Sequence, residues 1–183
     1  MFRSLDLEID KEIQELFSNM YFRVYSHQDE IGAEYGAALK NVIAIASGAI
    51  HGLGYGDNTR AALMTRGLAE MTRLGVKKGG LPETYLGLTG IGELIVTCSS
   101  HHSRNFMAGY EIGLKDDATD FMLNNKKTVE GIRTCKFIYE DLRENYPDLS
   151  MPITEAIYAV LYRGVKPSQA IQVLMLRELK QEH

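Results

Sequence analysis

Lys40 stands in the middle of an otherwise apolar stretch, EYGAALKNVIAIASG, residues 34–48. At helical spacing its neighbours are Gly36, Ala37, Ala44 and Ser47, nearly all small. Small residues around one lysine leave room for a ligand or another domain to approach the amine. A lysine held in a partly dry site can serve as a base. The plainer reading is a lysine snorkelling from the edge of a buried helix, with small residues for close helix packing. Spacing alone leaves both open.

A second set lies in IGELIVTCSSHHSRNFMAGYEIG, residues 91–113. Ser103, Arg104 and Asn105 fall at a predicted helix start, where free backbone N–H groups favour an anion and Arg104 can fork onto phosphate oxygens. Thr97 could add a hydroxyl. The alternative is a serine N-cap followed by a solvated arginine. A third set is KKTVEGIRT, residues 126–134. Glu130 and Gly131 lie at a helix start, which favours a carboxylate, and the glycine permits a close backbone approach. By themselves these two residues read as a first-turn acid followed by glycine.

Two other clusters are set aside. Cys98, His101 and His102 are close in sequence, but no fourth ligand stands at a metal-binding spacing, so they read as surface histidines beside a structural cysteine and no metal is expected. Gly52, Gly54 and Gly56 (HGLGYGDN) do not form G-x-G-x-x-G and come after a helix instead of a strand. They are not a phosphate loop, and no complete dinucleotide fingerprint occurs in the 183 residues.

The elements that must position these residues are almost all helical. A helix is expected over 4–20, then a strand over 21–25 (YFRVY), which has no second strand to pair with. It must lie on a helical body as an extended segment or belong to a sheet elsewhere. A long helix is expected from Glu34 to about Leu53, and another, capped by Asp57 or Asn58, to about Leu74. A short helical piece is expected at 82–87. Gly90 and Gly92 bracket a tight turn before Glu93 to Cys98. Further helices are read from Ser103 to about Gly113, within 115–127, over 129–145, from Pro152 to about Gly164, and from Pro167 onward. The class is all-α.

Bulk properties narrow the function. Hydrophobic residues make up 45% and charged residues 24%, ordinary for a globular domain. The net charge of −4 argues against a nucleic-acid partner, which normally meets a basic surface. The N-terminus lacks a signal-like apolar run, and no stretch approaches the roughly 18 apolar residues of a membrane span. Two widely separated cysteines fit a reduced setting, so a cytoplasmic location is expected.

Taken together, five segments in order resemble the bacterial-type NAD(P)-dependent glycerol-3-phosphate dehydrogenase family in its C-terminal, substrate-binding domain. They are FRVYSHQDEIGAEYGAALKNVIAIASG, LGYGDNTRAALMTRGLAEMTRLG, GLTGIGELIVTCSSHHSRNFMAG, TVEGIRT and MPITEAIYAVLY. The resemblance runs from about residue 20 to the C-terminus. It implies a multi-helix domain like the C-terminal domain of 6-phosphogluconate dehydrogenase, over 27–183. It also implies that residues 1–26, helix plus strand, are the tail of a nucleotide-binding Rossmann domain. The implied reaction interconverts sn-glycerol 3-phosphate and dihydroxyacetone phosphate with NAD or NADP, for glycerophospholipid precursor synthesis.

On the matching positions, Lys40 is implied as the proton acceptor. Ser103, Arg104 and Asn105 would hold substrate phosphate and hydroxyls, with Thr97 a weaker phosphate contact. Arg104, Thr128 and Glu130 would touch the cofactor. Glu93 stands where the family usually has aspartate, a carboxylate near the lysine and substrate. Without a dinucleotide fingerprint these residues alone are expected to be inactive. Beyond the small-molecule substrate, the only partner foreseen is a second copy in a homodimer. Two rival readings are a helical dimerisation fragment without activity and a domain of a related hydroxy-acid or keto-acid reductase.

Overall fold

The computed structural model describes residues 7–177, and every described element is helical. In chain order they are α1 (Leu7–Phe17), α2 (Glu30–Gly52), α3 (Asp57–Lys77), α4 (Pro82–Leu86), a π-helical turn (Leu88–Gly92), α5 (Glu93–Ser99), α6 (Arg104–Lys115), α7 (Thr119–Asn124), α8 (Glu130–Asn145), α9 (Pro152–Tyr162) and α10 (Pro167–Met175). The all-α class expected from the sequence is the class observed.

The strand expected at 21–25 does not form. The segment is tied back locally instead, with Asn19 and Phe22 bonded to each other through their backbones. Asn19 Oδ1 accepts from the amides of Tyr21 and Phe22 at 2.9 and 3.1 Å, Ser18 Oγ accepts from Val24 N at 3.1 Å, and Gln14 Nε2 donates to Val24 O at 3.3 Å. Aromatic and β-branched residues express a fit to a pleated, half-buried surface, and among the described residues no strand lies beside the segment to offer it a ladder. The large side chains of Leu16, Phe17, Met20, Tyr21, Phe22 and Tyr25 are exposed.

α2 is the axis of the molecule, roughly 35 Å long at 1.5 Å per residue. Every residue from Val42 to Ile50 is buried, as expected of a helix apolar on all sides. It starts at Glu30, four residues before the apolar stripe becomes visible, because Asp29 caps it: Oδ1 accepts from Gly32 N at 2.8 Å. Oδ2 of the same carboxylate accepts from Leu81 N at 2.7 Å and Thr84 Oγ1 at 2.5 Å, which anchors the start of α4.

α6 crosses α2 backbone to backbone. A Cβ added at Gly48 or Gly52 would lie 2.0 Å from Phe106 O or 2.4 Å from Tyr110 O, and one at Gly109 or Gly113 would lie 1.9 Å from Ile45 O or 2.2 Å from Ala49 O. Two glycine pairs at i, i+4, one on each helix, thus set how closely the helices approach. Gly52 is part of this seam.

Two further expectations are corrected. α3 is not capped by Asp57 or Asn58: Gly56 is its extended N-cap, and Asp57 sits in the first turn, paired with Arg60 at 2.7 Å. Between α4 and α5 there is a π-helical turn in place of a tight turn. Gly90 makes it possible, because a Cβ there would lie 2.1 Å from Tyr85 O. One extra residue per turn re-aims α5, the helix that begins at Glu93.

Candidate active site

Lys40 lies where α2 passes from partly to fully buried. Its Nζ is paired with the Glu93 carboxylate at the start of α5, with side chains 18% and 53% exposed. An amine whose stem is largely covered while its head meets a carboxylate from another helix is not free to wander over the surface. α5 is held to α2 by Ser47, fully buried, whose Oγ donates to Cys98 O at 2.8 Å. The small residue two turns along the same face from Lys40 therefore makes an interhelix hydrogen bond. One turn beyond Glu93, Thr97 Oγ1 donates to Glu93 O at 2.6 Å, which leaves its oxygen free to accept.

The second charged pair is Arg104–Glu130, between the first turns of α6 and α8, with side chains 59% and 42% exposed. Ser103 is the N-cap of α6, its Oγ accepting from Phe106 N at 3.2 Å. The capping role and the anion role are compatible, because one capping hydroxyl leaves the amides of Arg104 and Asn105 as first-turn donors outside the helix ladder. The Asn105 side chain is only 5% exposed and faces protein: Nδ2 donates to Asn41 Oδ1 at 2.9 Å, and Oδ1 accepts from Gly131 N at 2.8 Å. The close approach that Gly131 allows is thus to α2 and α6.

Thr128 is exposed and lines an open groove of about 300 Å³ with Asn125, Lys126 and Lys127. A larger cleft of about 550 Å³ adjoins it, walled by α6, α7 and the 124–129 loop and including Ser103, Arg104, Lys115, Lys126 and Lys127. Lys115 is paired with Asp120, which raises its pKa and lowers that of Asp120.

Among the described residues no three His, Cys, Asp or Glu side chains could hold a metal ion. Cys98 and Cys135 are buried free thiols, and burial pushes both up to about 12, far from the thiolate that metal binding needs. His101 instead packs edge-on against Phe106 and His51. Among the described residues no helix is long and apolar enough to cross a membrane.

Of the site residues singled out by sequence, Lys40, Glu93, Arg104 and Glu130 form two charged pairs, Asn105 joins the amide contact between α2, α6 and α8, Thr97 and Ser103 bond to the backbone of their own helices, and Thr128 stands apart. Sequence reasoning missed Asn41, although an amide set into a long apolar stripe is itself a signal. The family model described as "NAD-dependent glycerol-3-phosphate dehydrogenase C-terminus" matches residues 29–172. The chain belongs to this family. Among curated glycerol-3-phosphate dehydrogenases [NAD(P)+], that of Lacticaseibacillus casei (strain BL23) is 54% identical over 97% of this chain and 50% of its own length. That of Streptococcus sanguinis (strain SK36) is 53% identical over 98% of the chain and 52% of its own length. The crystal structure of glycerol-3-phosphate dehydrogenase from Coxiella burnetii is 35% identical and superposes with a TM-score of 0.85, covering 94% of this chain and 53% of that one. The chain spans about half the length of the curated relatives it matches. The charged pairs fall inside the matched region, so the family resemblance and the side-chain geometry concern the same residues.

Proposed function

We propose that these residues form the substrate-binding half of an enzyme that interconverts sn-glycerol 3-phosphate and dihydroxyacetone phosphate with NAD or NADP. The observation that carries the reading is the pairing of Lys40 with Glu93 while Asn41, next to Lys40, is bonded to Asn105, next to Arg104 at a helix N-terminus. The first set can move a proton at a carbonyl or hydroxyl, and the second can hold a phosphate.

Lys40 Nζ exchanges the proton with the C2 oxygen: it takes it from the alcohol in oxidation and delivers it to the ketone in reduction. Glu93 aims the amine, reaching it with one methylene more than an aspartate would have. Arg104 and the amides of Arg104 and Asn105 bind the phosphate, with Ser103 and Thr97 at its border. The nicotinamide cofactor, when bound, supplies or accepts the hydride. Thr128 in the open groove, Arg104 in the adjoining cleft and half-exposed Glu130 paired with Arg104 fit the edge of such a cofactor, and no described residue forms a dinucleotide loop.

Residues 1–26 are assigned to the nucleotide-binding half, on the strength of the exposed apolar side chains from Leu16 to Tyr25 and the half-length match; residues 1–6, where the expected first helix begins, lie outside the described residues. Residues 27–183 are the substrate domain, helical over its described residues. Buried free thiols suit a cytoplasmic enzyme, and the exposed apolar surface suits a homodimer.

The test is reduction of dihydroxyacetone phosphate with NADH and NADPH by the chain joined to a nucleotide-binding half, beside Lys40→Ala. Turnover that collapses in the variant supports the reading. Turnover that survives the loss of Lys40, or that is absent with dihydroxyacetone phosphate but present with an unphosphorylated keto acid, overturns it. The 183 residues alone should show no turnover with either cofactor.

A further inference from the structure

Each charged residue of the site except Glu93 stands directly before a member of a polar bridge. Lys40 precedes Asn41, Arg104 precedes Asn105, and Glu130 precedes Gly131. The bridge has one consistent sense. Gly131 N–H can only donate, so the Asn105 atom 2.8 Å away is its oxygen. That turns Asn105 Nδ2 toward Asn41, whose oxygen must then accept at 2.9 Å. The remaining Asn41 Nδ2 donates to Ala37 O at 3.2 Å, one turn back on α2.

The bridge has little slack. α8 has no side-chain N-cap of its own, since Val129 occupies that position, so Asn105 satisfies one of its first-turn amides from another helix. A Cβ on Gly131 would lie 2.5 Å from Asn41 O and 2.9 Å from Asn105 Oδ1. Three helices thus meet within hydrogen-bonding distance through two amide side chains and a bare backbone, immediately beside Lys40, Arg104 and Glu130.

We propose that Asn41 is a positioning residue for the reaction: through the Asn105 side chain it sets the first turn of α8 against α2, and so holds the Arg104–Glu130 pair at a fixed separation from Lys40. The inference rests on the reading of Lys40 as proton acceptor and Arg104 as phosphate contact. It also gives Asn105 two separate tasks, with its backbone amide directed to the substrate and its side chain to the bridge. An amide suits position 41 because it donates and accepts without a charge beside Lys40. An apolar residue there would leave Asn105 Nδ2 unsatisfied, and a carboxylate would add a second anion competing with Glu93 for the amine.

The experiment uses the enzyme with both halves present. Asn41→Ala should lower kcat/KM for dihydroxyacetone phosphate about 10- to 100-fold, the usual cost of losing a residue that orients a site. The same substitution on an Arg104→Ala background should cost less than about threefold further, because the separation it maintains no longer matters. Equal fractional losses in both backgrounds, or unchanged kinetics for Asn41→Ala, would overturn the proposal. A lowered Tm with unchanged kcat/KM would reduce Asn41 to a purely structural role and overturn it too. If the unmutated enzyme fails to turn over dihydroxyacetone phosphate, the underlying reading falls and takes this one with it; turnover with unaltered Asn41→Ala kinetics removes this one alone.

Discussion

Glutamates do opposite work at two places in this molecule. Where α3 meets α9, Glu70 is 2% exposed and accepts from Ile153 N at 2.6 Å, Thr154 N at 3.1 Å and Thr154 Oγ1 at 2.9 Å. It caps α9, whose own N-cap Met151 offers no side-chain bond. Its bonding capacity is spent inside the fold. On the face formed by α2, α5, α6 and α8, Glu93 and Glu130 are about half exposed, and each is paired with a cation. A buried charge satisfied by backbone donors reports on stability. Partly exposed pairs, held in place by a polar bridge behind them, report on something from outside.

The largest effects should separate these regions cleanly. Lys40→Ala in the two-domain enzyme should lower kcat about 10²- to 10⁴-fold, the range for a lost general acid–base group, with little change in Tm. Steady-state kinetics beside a thermal melt would show it. Arg104→Ala should raise KM for the phosphorylated substrate about 100-fold while largely sparing KM for a substrate analogue without phosphate. Glu70→Ala should do the reverse. Leaving three donors unpaired costs about 3 kcal/mol, read as a shifted denaturation midpoint, with kcat unchanged well below Tm. An activity loss for Glu70→Ala at a temperature where the protein is fully folded would erase the distinction.

A smaller effect sharpens the comparison within the structural carboxylates. Burial pushes Glu70 up to about 7, against its three hydrogen bonds and Arg73. Burial also opposes ionisation of Asp29, but the Thr84 hydroxyl, the Leu81 and Gly32 amides and His27 outweigh it and hold its carboxyl below the usual range. A raised pKa means that the native state binds more protons. The titration of Glu70 therefore contributes stability that is complete below its ordinary value of 4.5 and is lost as pH rises through about 7. Asp29 has the opposite sign, with its contribution present above its ordinary 3.8 and lost as pH falls through its lowered value. Denaturation midpoints across pH 3–8 for the native sequence, Glu70→Ala and Asp29→Ala should show gaps that close at opposite ends. The smallest effect is expected at the exposed Lys115–Asp120 pair, where Lys115→Ala should leave Tm unresolved from the parent.

Much of the fold was legible because its signals are local. The apolar stripe of α2, the first-turn prolines of α4, α9 and α10, and the serine cap of α6 depend on residues within a few positions of one another. The misreadings share one cause. The strand at 21–25, the cap of α3 and the turn at Gly90 each depended on a partner that local pattern cannot supply: a second strand, the extended backbone of Gly56, or the backbone of Tyr85. In the site, Lys40 and Arg104 were visible as charges in unusual settings. Glu93 drew attention only through the family resemblance. Asn41 went unnoticed, because a neutral amide becomes informative only when its partner, 64 positions away, is known.

By itself the sequence determined an all-α domain, the residue types able to bind a phosphate and move a proton, and the family in which that combination occurs. Tertiary structure alone decided that Lys40 meets Glu93, that Arg104 meets Glu130, and that Asn105 joins the two pairs through Asn41 and Gly131. The reason is one of range. Helical periodicity and capping act over a turn or two, whereas these contacts arise where α2, α5, α6 and α8 converge. That convergence is set by glycine-to-backbone packing along α2 and α6, and it appears only once the chain has closed on itself.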